Sequence, residues 1–394
     1  MKKINHLLFS GKIPFKSTGT SMLPILYPDD IIYFKKIPFS KIKVNDIVVF
    51  KKNSQLITHR VIYKNKKHVI TKGDNNPKSD GKIFPKQIIG KVYQIKRNDQ
   101  IIKPETLYLI QSTHYFEEIV KIKKEFDRQK INYVFLKGLP LHLYFEGAHP
   151  SRLYADCDVL IDKTDFAKAE KILFKYGYQK ADTALSFLQK KLKNKESENT
   201  YWKNINGFGV VFDIHLEVVF MMTQLGDLNP LYSQKLIDQM TKEFLQTRQK
   251  IKILGEQFWI LNFDFLIVYL ALHLFHHNFT GAFRYQFLDT VVRKYQILKI
   301  KNQKYLSNIK NIINKYQINN FVYPAFYLLK KYYQTPLPPL FLKFIKPLHF
   351  YTFTLLHLYT FTRLYKINIF NDEPRVNAGI KRFLNLFFLS PNPL

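Results

Sequence analysis

The spacing of apolar residues changes near residue 103, and this change limits the folds open to the chain. Before it, short β-branched or aromatic runs such as DIVVFKK (46–52) and LITHRVIY (56–63) are separated by Asn, Gly, Pro and Asp, as in antiparallel strands joined by turns. From Pro104 onward, ETLYLIQSTHYFEEIVKIKKEFDRQK spaces its apolar residues three and four apart, which is typical of an amphipathic helix. The sequence therefore predicts a multidomain protein whose first domain, residues 1–103, is all-β.

The rest of the chain alternates between strand and helix patterns before it becomes mostly helical. Strand-like runs at 132–138, 155–161 and 209–219 surround a helix pattern at 163–177, where Thr164 is a plausible N-cap and Gly177 a plausible C-cap. This alternation predicts a mixed α/β core over 104–225. After about Met221 the pattern is helical and aromatic, so residues 226–394 are predicted to be a helical region that completes the second domain.

Composition restricts the partners and the compartment. Lys and Arg number 61 against 30 acidic residues, so the surface carries a positive field. One interpretation is general surface charge, because the abundance of Lys, Ile, Asn, Phe and Tyr is typical of an AT-rich genome. The other is a basic face that attracts nucleic acid, nucleotides or an anionic membrane surface. A single cysteine, Cys157, excludes internal disulfides and cysteine-rich zinc sites and favours a cytoplasmic location, with peripheral membrane association as an alternative. The uncharged run from Pro347 to Thr362 is shorter than the roughly 20 residues of a spanning helix, so no transmembrane helix is predicted.

Four short blocks in the all-β region contain residues suited to nucleophilic catalysis. They are GTSMLP (19–24), NDIVVF (45–50), ITHRVI (57–62) and TKGDNNPKSDG (71–81). Taken singly, the serine reads as a turn residue, the histidine as a partly buried strand residue, and GDNN as a hairpin turn. Taken together and in this order, the blocks resemble the signal peptidase I family in its endoplasmic-reticulum and archaeal branch, and more distantly the self-cleaving repressor peptidases.

This resemblance implies a serine endopeptidase that acts on a peptide or protein without a cofactor. It assigns Ser21 as the nucleophile, His59 as the general base and Asp80 as the acid that orients the imidazole, with Asp74 of the GDNN block as a further catalytic residue. Ser79 stands where the family has a second acid. The family's membrane anchor before the serine block has no counterpart here, so a soluble or peripheral processing role is expected.

Three aspartates in the middle region are suited to binding a metal. Asp156 and Asp158 lie one residue apart on a predicted strand, so both side chains point to the same face, and Asp213 lies on a later strand. Nucleotidyl transfer requires divalent metal held by carboxylates of this kind. An Asp-x-Asp pair alone is more often a solvated strand end. Upstream, Leu136-Lys137-Gly138 is a strand-to-helix turn where backbone N–H groups can bind phosphate.

These residues resemble the nucleotidyltransferase superfamily with a polymerase-β type core, specifically an uncharacterised branch, over about residues 115–300. The resemblance implies a nucleoside triphosphate substrate contacted by Lys137, Gly138 and Arg152. It also implies Mg²⁺ held by Asp156, Asp158 and Asp213. In a later helical block it suggests three residues on the substrate side: His273, Arg284 and Asp289.

The two constellations together predict a bifunctional processing enzyme, a serine endopeptidase fused to a metal-dependent nucleotidyltransferase. The alternative is a self-cleaving regulator of the repressor type, or a basic nucleic-acid-binding module whose transferase fold is not catalytic. The first interpretation is favoured because no helix-turn-helix pattern precedes the serine block and no repressor-type lysine base is identified.

Overall fold

A computed structural model describes residues 14–347, except for positions 24, 77, 148, 150–153, 155, 182–196, 206–207, 219–231, 278, 280–281 and 299–304. Backbone contacts divide the chain into two compact units. The first unit comprises 1–118, 149–155 and 203–210, and the second comprises 119–148, 156–202 and 211–394. Within the described residues, no helix is both long and apolar enough to cross a bilayer.

The first unit contains an antiparallel sheet of eight strands among the described residues. Its strands are β1 (Phe15–Lys16), β2 (Ile31–Lys35), β3 (Ile47–Lys52), β4 (Gln55–Lys64), β5 (Val69–Lys72), β6 (Gly81–Ile83), β7 (Ile88–Arg97) and β8 (Gln100–Ile102). Their order in the sheet is β1-β2-β7-β3-β4-β5-β6, with β8 paired to β7. This is the all-β region that the strand-like runs predict.

Apolar side chains cover both faces of this sheet. On β3, Ile47 and Val49 belong to one apolar cluster, whereas Val48 and Phe50 belong to a second. Neighbouring residues of a strand point to opposite faces, so the continuous IVVF run buries both sides of β3. The sheet is thereby rigid at its centre, where β3 pairs with β4.

A buried arginine ties three separate stretches of the first unit together. Arg97 is 5% exposed and donates to both carboxylate oxygens of Asp30, at 2.9 and 2.8 Å. Its guanidinium lies 4.5 Å from the ring of Tyr27 and 5.0 Å from the ring of Phe208. The Tyr27 hydroxyl in turn accepts a hydrogen bond from the backbone N–H of Gly209. Residues from 203–210 therefore complete the core around the loop that follows Ser21.

The second unit is built on a mixed sheet. Its strands are β9 (Tyr133–Phe135), β10 (Cys157–Ile161), β11 (Gln179–Lys180), β12 (Glu198–Ile205), β13 (Phe208–His215), β14 (Gln249–Ile253) and β15 (Glu256–Ile260). Their order is β11-β12-β13-β10-β9-β15-β14. The central pair β10 and β13 is parallel, and its register places Asp158 opposite Asp213.

Helices accompany this sheet, and most of them follow it in the chain. They are α1 (Leu107–Arg128), α2 (Leu139–Glu146), α3 (Phe166–Lys175), α4 (Gln234–Gln246), α5 (Phe263–His276), α6 (Ala282–Leu298), α7 (Tyr305–Lys315), α8 (Asn319–Tyr333) and α9 (Pro339–Ile345). Helix α5 is apolar on nearly all sides and buried, as expected for a central helix. The α/β part followed by a helix-rich C-terminal part agrees with the predicted fold class.

The structure differs from two local predictions. The hairpin of β14 and β15 lies in the region predicted to be mostly helical, and it adds two strands to the sheet. Thr164 does not cap the helix that follows; instead the side chain of Asp162 accepts from the backbone N–H of Thr164. Gly177 does follow α3 with φ +83°, a left-handed conformation that favours glycine. The run from Pro347 to Thr362 lies, after its first residue, outside the described residues.

Candidate functional sites

In the first unit, three of the predicted catalytic residues form a continuous hydrogen-bonded chain. Nε2 of His59 lies 2.9 Å from Oγ of Ser21, and Nδ1 of His59 lies 2.8 Å from Oδ2 of Asp80. An ionised carboxylate only accepts hydrogen bonds, so Nδ1 carries the proton. The lone pair of Nε2 then faces the Ser21 hydroxyl and can accept its proton. This is the arrangement that activates a serine for attack on a carbonyl carbon.

Strand pairing and a close glycine contact fix Ser21. His59 lies on β4 opposite Val48 of β3, in the rigid centre of the sheet. Ser21 lies in a turn, and its own carbonyl oxygen accepts a hydrogen bond from the backbone N–H of Asn75 at 2.8 Å. A Cβ at Gly73 would lie 2.5 Å from this same oxygen, so only glycine allows the two loops to approach this closely. The GDNN block is therefore more than a hairpin turn, because it anchors the serine loop.

Two further contacts hold Asp80, the acid of this hydrogen-bonded chain, in place. Oδ2 of Asp80, the oxygen that faces His59, also accepts from the hydroxyl of Thr71 at 2.7 Å, and the Asp80 carbonyl accepts from Nζ of Lys52. Burial alone would raise the pKa of the Asp80 carboxyl, but the hydrogen bonds from His59 and Thr71 hold it below its usual value. Asp80 is thus held as a carboxylate at neutral pH.

Asp74, the fourth predicted catalytic residue, forms an ion pair with Arg60. Its two carboxylate oxygens accept from Nε and Nη2 of Arg60 at 2.8 and 2.7 Å. Arg60 also donates to the carbonyl of Asn45 and lies over the ring of Tyr108. Asp74 therefore fastens the GDNN block to β4. The catalytic role that the resemblance implies for it stays a prediction.

In the second unit, the three predicted metal ligands converge. One carboxylate oxygen from each of Asp156, Asp158 and Asp213 lies within 4.8 Å of the others. The parallel register of β10 and β13 places Asp158 beside Asp213, and the alternation of side chains along the chain places Asp156 on the same face as Asp158. Cys157, between them, is fully buried on the opposite face.

Two cations contact the buried aspartate of this cluster. Nζ of Lys137 contacts Oδ2 of Asp158 and lies 3.4 Å from Asp156, while Nε2 of His215 lies 3.0 Å from Oδ1 of Asp158. Burial would lower the pKa of Lys137, but the carboxylates of Asp158 and Asp156 raise it above its usual value. Burial also disfavours a charged His215, yet Glu198 and Asp158 raise its pKa to about 9. Both groups are therefore cationic at neutral pH.

The carboxylates of the cluster outnumber the two cations, Lys137 and His215, that contact Asp158. Burial and the charge of Asp158 raise the pKa of Asp213 to about 7, and the charge of Asp158 followed by burial raises the pKa of Asp156. The cationic Lys137 and His215 face four carboxylates, those of Asp156, Asp158, Asp213 and Glu198. With all four carboxylates ionised, their charge would exceed that of the two cations by two, which is the charge of one divalent cation; the raised pKa values of Asp213 and Asp156 reflect this excess. Carboxylate oxygens are also the ligands that Mg²⁺ prefers, so the residues present fit this ion.

The structure describes two of the three residues that the resemblance assigns to the triphosphate, Lys137 and Gly138. Gly138 adopts φ +105° at the start of α2, and its ideal Cβ would lie 3.5 Å from the carbonyl of Asp156, so the turn packs directly against the aspartate segment. Lys137 contacts the carboxylates, whereas the resemblance placed it toward the triphosphate. Arg152 lies outside the described residues.

The later helical block contributes neutral imidazoles near the cluster. On α5, Nε2 of His273 lies 3.0 Å from Nε2 of His277, the residue that ends the helix. Burial, together with the charges of Arg284 and Lys137, lowers the pKa of both histidines, that of His277 to about 3. Asp289 instead pairs with Arg293 on α6. The charge of Lys137 acts on both histidines, so they lie within electrostatic range of the aspartate cluster.

Sequence reasoning missed several residues that complete the two sites. Thr71, Lys52 and Arg60 support the serine site, and Thr200 and Glu198 support the aspartate site, where the hydroxyl of Thr200 donates to Asp213 at 2.7 Å. Thr71 and Arg60 stand within or beside the blocks of the resemblance, so their positions were a usable signal. Glu198 and Thr200 follow a polar stretch without a motif, and only strand pairing brings them to the site.

Comparison with known proteins addresses the second unit. A family model described as "Uncharacterised nucleotidyltransferase" matches residues 105–334, more than half of the chain. A solved structure of an antigenic nucleotidyltransferase-like protein from Paracoccidioides brasiliensis matches with 13% identity over 56% of this chain and 94% of that one. Its TM-score of 0.32 is too low to support an argument about this fold. No curated protein matches.

Proposed function

Since the chain belongs to the uncharacterised nucleotidyltransferase family, we propose that its second unit transfers a nucleotidyl group from a nucleoside triphosphate to an acceptor. The supporting observation is the convergence of Asp156, Asp158 and Asp213 within 4.8 Å, in a cluster whose carboxylates outnumber the cations that contact them. The acceptor oxygen would attack the α-phosphorus, and pyrophosphate would leave. We further propose domain limits of 1–103, 104–225 and 226–394, with the β14–β15 hairpin joining the core.

Each residue of this site has a role that follows from its contacts. Asp156, Asp158 and Asp213 would hold Mg²⁺, which, when bound, neutralises the triphosphate and the charge that develops on the attacking and leaving oxygens. His215 keeps Asp158 ionised and fixes the direction of its carboxylate. The hydroxyl of Thr200 fixes the direction of the Asp213 carboxylate and partly offsets the rise that burial causes in its pKa. The turn at Gly138 lets backbone approach the aspartates without a side chain between them.

A labelling experiment tests this proposal. The protein is incubated with each of the four ribonucleoside triphosphates, labelled at the α-phosphate, together with Mg²⁺ and total protein or total RNA as acceptors. Transfer of label that is lost in Asp156→Asn and Asp213→Asn supports the assignment. Asp238→Asn is the matched control, because this carboxylate is 53% exposed on α4 and distant in sequence from the cluster. Equal labelling by wild type and both aspartate variants would refute the proposal.

We also propose that the first unit is a serine endopeptidase of the signal peptidase I type. The supporting observation is the Ser21–His59–Asp80 chain, with successive contacts of 2.9 and 2.8 Å. The Ser21 oxygen would attack the peptide carbonyl carbon while Nε2 of His59 takes its proton and later returns it to the leaving amine. Together the two proposals describe a bifunctional processing enzyme.

Peptide cleavage can be tested without knowing the natural substrate. A synthetic peptide library is incubated with the protein, and new termini are identified by mass spectrometry. Cleavage that disappears in Ser21→Ala but persists in Ser17→Ala supports the assignment, since Ser17 lies on the same loop and its backbone pairs with Asp29 and Asp30. Undiminished cleavage by Ser21→Ala would show that another nucleophile is responsible.

A further inference from the structure

The ammonium of Lys137 occupies the position where a metal ion would meet the aspartate pair. Nζ contacts Oδ2 of Asp158 and lies 3.4 Å from Oδ2 of Asp156, so it bridges two of the three carboxylates. The second oxygen of Asp158 is already engaged by His215 at 3.0 Å. Both oxygens of the most buried aspartate are thus in use before any metal arrives.

A divalent cation and this ammonium would lie close together if both contacted Oδ2 of Asp158. Like charges that close repel strongly, and the repulsion is weakly screened because the Asp158 side chain is only 4% exposed and that of Lys137 only 16%. The ammonium of Lys137 can move away from the carboxylates, since it sits on a flexible four-carbon chain. It can then pair with the triphosphate, whose negative charge exceeds what the metal alone neutralises.

We propose that Lys137 is a built-in counter-cation of the aspartate site, which the metal displaces and the triphosphate then captures. This inference rests on the proposed nucleotidyltransferase function. Its consequence is that metal binding and nucleotide binding are strongly coupled. Metal that binds alone must displace the ammonium of Lys137 from its carboxylates. Nucleotide that binds alone must draw the same ammonium away and leave those carboxylates without a counter-ion. Bound together, the two ligands satisfy all the charges, so each raises the affinity for the other by the same factor.

Mn²⁺ binding measured by electron paramagnetic resonance tests this directly and requires no turnover. Without nucleotide, Lys137→Met is expected to bind Mn²⁺ at least tenfold more tightly than wild type, which corresponds to about 1.4 kcal/mol. Lys137→Arg keeps the positive charge, so its Mn²⁺ affinity is expected to stay within about threefold of the wild-type value. This is less than the tenfold change that corresponds to about 1.4 kcal/mol. With α,β-methylene-ATP present, wild type is expected to gain Mn²⁺ affinity at least tenfold, whereas Lys137→Met gains far less.

The outcomes separate the inference from the function beneath it. If Lys137→Met leaves Mn²⁺ affinity unchanged or weaker while Asp156→Asn and Asp213→Asn lower it, the counter-cation role is wrong and the metal site stands. If neither aspartate variant changes Mn²⁺ binding, the metal site and the proposed function both fail. Lys137→Gln is the second variant, used with a check of native circular dichroism, so that a folding defect in Lys137→Met does not decide the result.

Discussion

Replacing Asp80 with asparagine should separate the electrostatic part of the serine site from its shape. Asn has nearly the same volume, so the hydrogen bond from Thr71 can persist, but the negative charge beside His59 is lost. The charge matters when His59 takes the serine proton and becomes an imidazolium. The amide can also present its NH₂ group to Nδ1, which favours the wrong tautomer.

The expected size of the effect follows from the geometry. The 2.8 Å contact places the two charge centres about 4 Å apart, and with an effective dielectric constant of about 20 their attraction is about 4 kcal/mol. At about 1.36 kcal/mol per factor of ten, the rate of the chemical step should fall roughly 10³-fold. Both side chains are largely buried, at 7% and 13% exposure, so solvent screens little of this attraction.

The assay is the cleavage rate of one peptide selected from the library, measured under single-turnover conditions. Asp29→Asn is the control, because its carboxylate is 79% exposed and pairs only with the surface residue Lys16. Stability gives a second readout. The Asp80 pKa is lowered in the folded protein, so this residue stabilises the fold above the unfolded pKa of about 3.9, and that stability is lost as pH falls through the folded value. A cleavage rate in Asp80→Asn within tenfold of wild type would refute the electrostatic reasoning.

Three further changes have defined outcomes. Asp213→Asn should stabilise the metal-free protein at pH 8, by on the order of 4 kcal/mol at most, since one pKa unit corresponds to about 1.36 kcal/mol. Because the pKa of Asp213 is raised in the folded protein, its carboxyl destabilises the fold increasingly as pH rises from 3.8 to about 7. The extra stability of Asp213→Asn over wild type, measured by thermal unfolding, should therefore be smaller at pH 5 than at pH 8. Gly73→Ala should slow peptide cleavage at least tenfold, a loss of about 1.4 kcal/mol in transition-state stabilisation, by displacing Ser21, whereas Gly19→Ala, which meets nothing within 4 Å, should not; equal rates would contradict the contact argument. Arg97→Met should cost about 3–5 kcal/mol in urea unfolding because its carboxylate partner stays buried without a counter-ion, and a loss below about 1 kcal/mol would show that this pair is dispensable.

Local patterns predicted the elements well wherever periodicity was unbroken. The β-branched runs became strands β2 to β5 and β7, and the residues with three-and-four spacing after Pro104 became helix α1. The hairpin at 249–260 was missed because it lies within sequence that is otherwise helical and aromatic. Its two strands pair with each other, and β15 also pairs with β9, a contact made across more than a hundred residues of chain.

Site residues were predictable where a motif fixed their order, and unpredictable where pairing decided their neighbours. Asp156 and Asp158 share a face by strand alternation alone, which the sequence displays. That Asp213 stands beside them depends on the parallel register of β10 and β13, which no local pattern encodes. The ion pair of Asp74 could not be read from the sequence for the same reason, since its guanidinium partner comes from a strand fourteen residues earlier.

Residues 203–210 belong to the first unit but are synthesised long after the strands that they pack against. The strands that carry His59 and Arg97 leave the ribosome early, but Phe208 and Gly209, which pack against Arg97 and Tyr27, follow about 110 residues behind Arg97. At translation rates of roughly 5–20 residues per second, this delay lasts roughly 5–20 seconds. During that interval the loop downstream of Ser21 lacks one of its supports. The nascent first unit therefore completes its core only after strand β13, which carries Asp213, has begun to emerge.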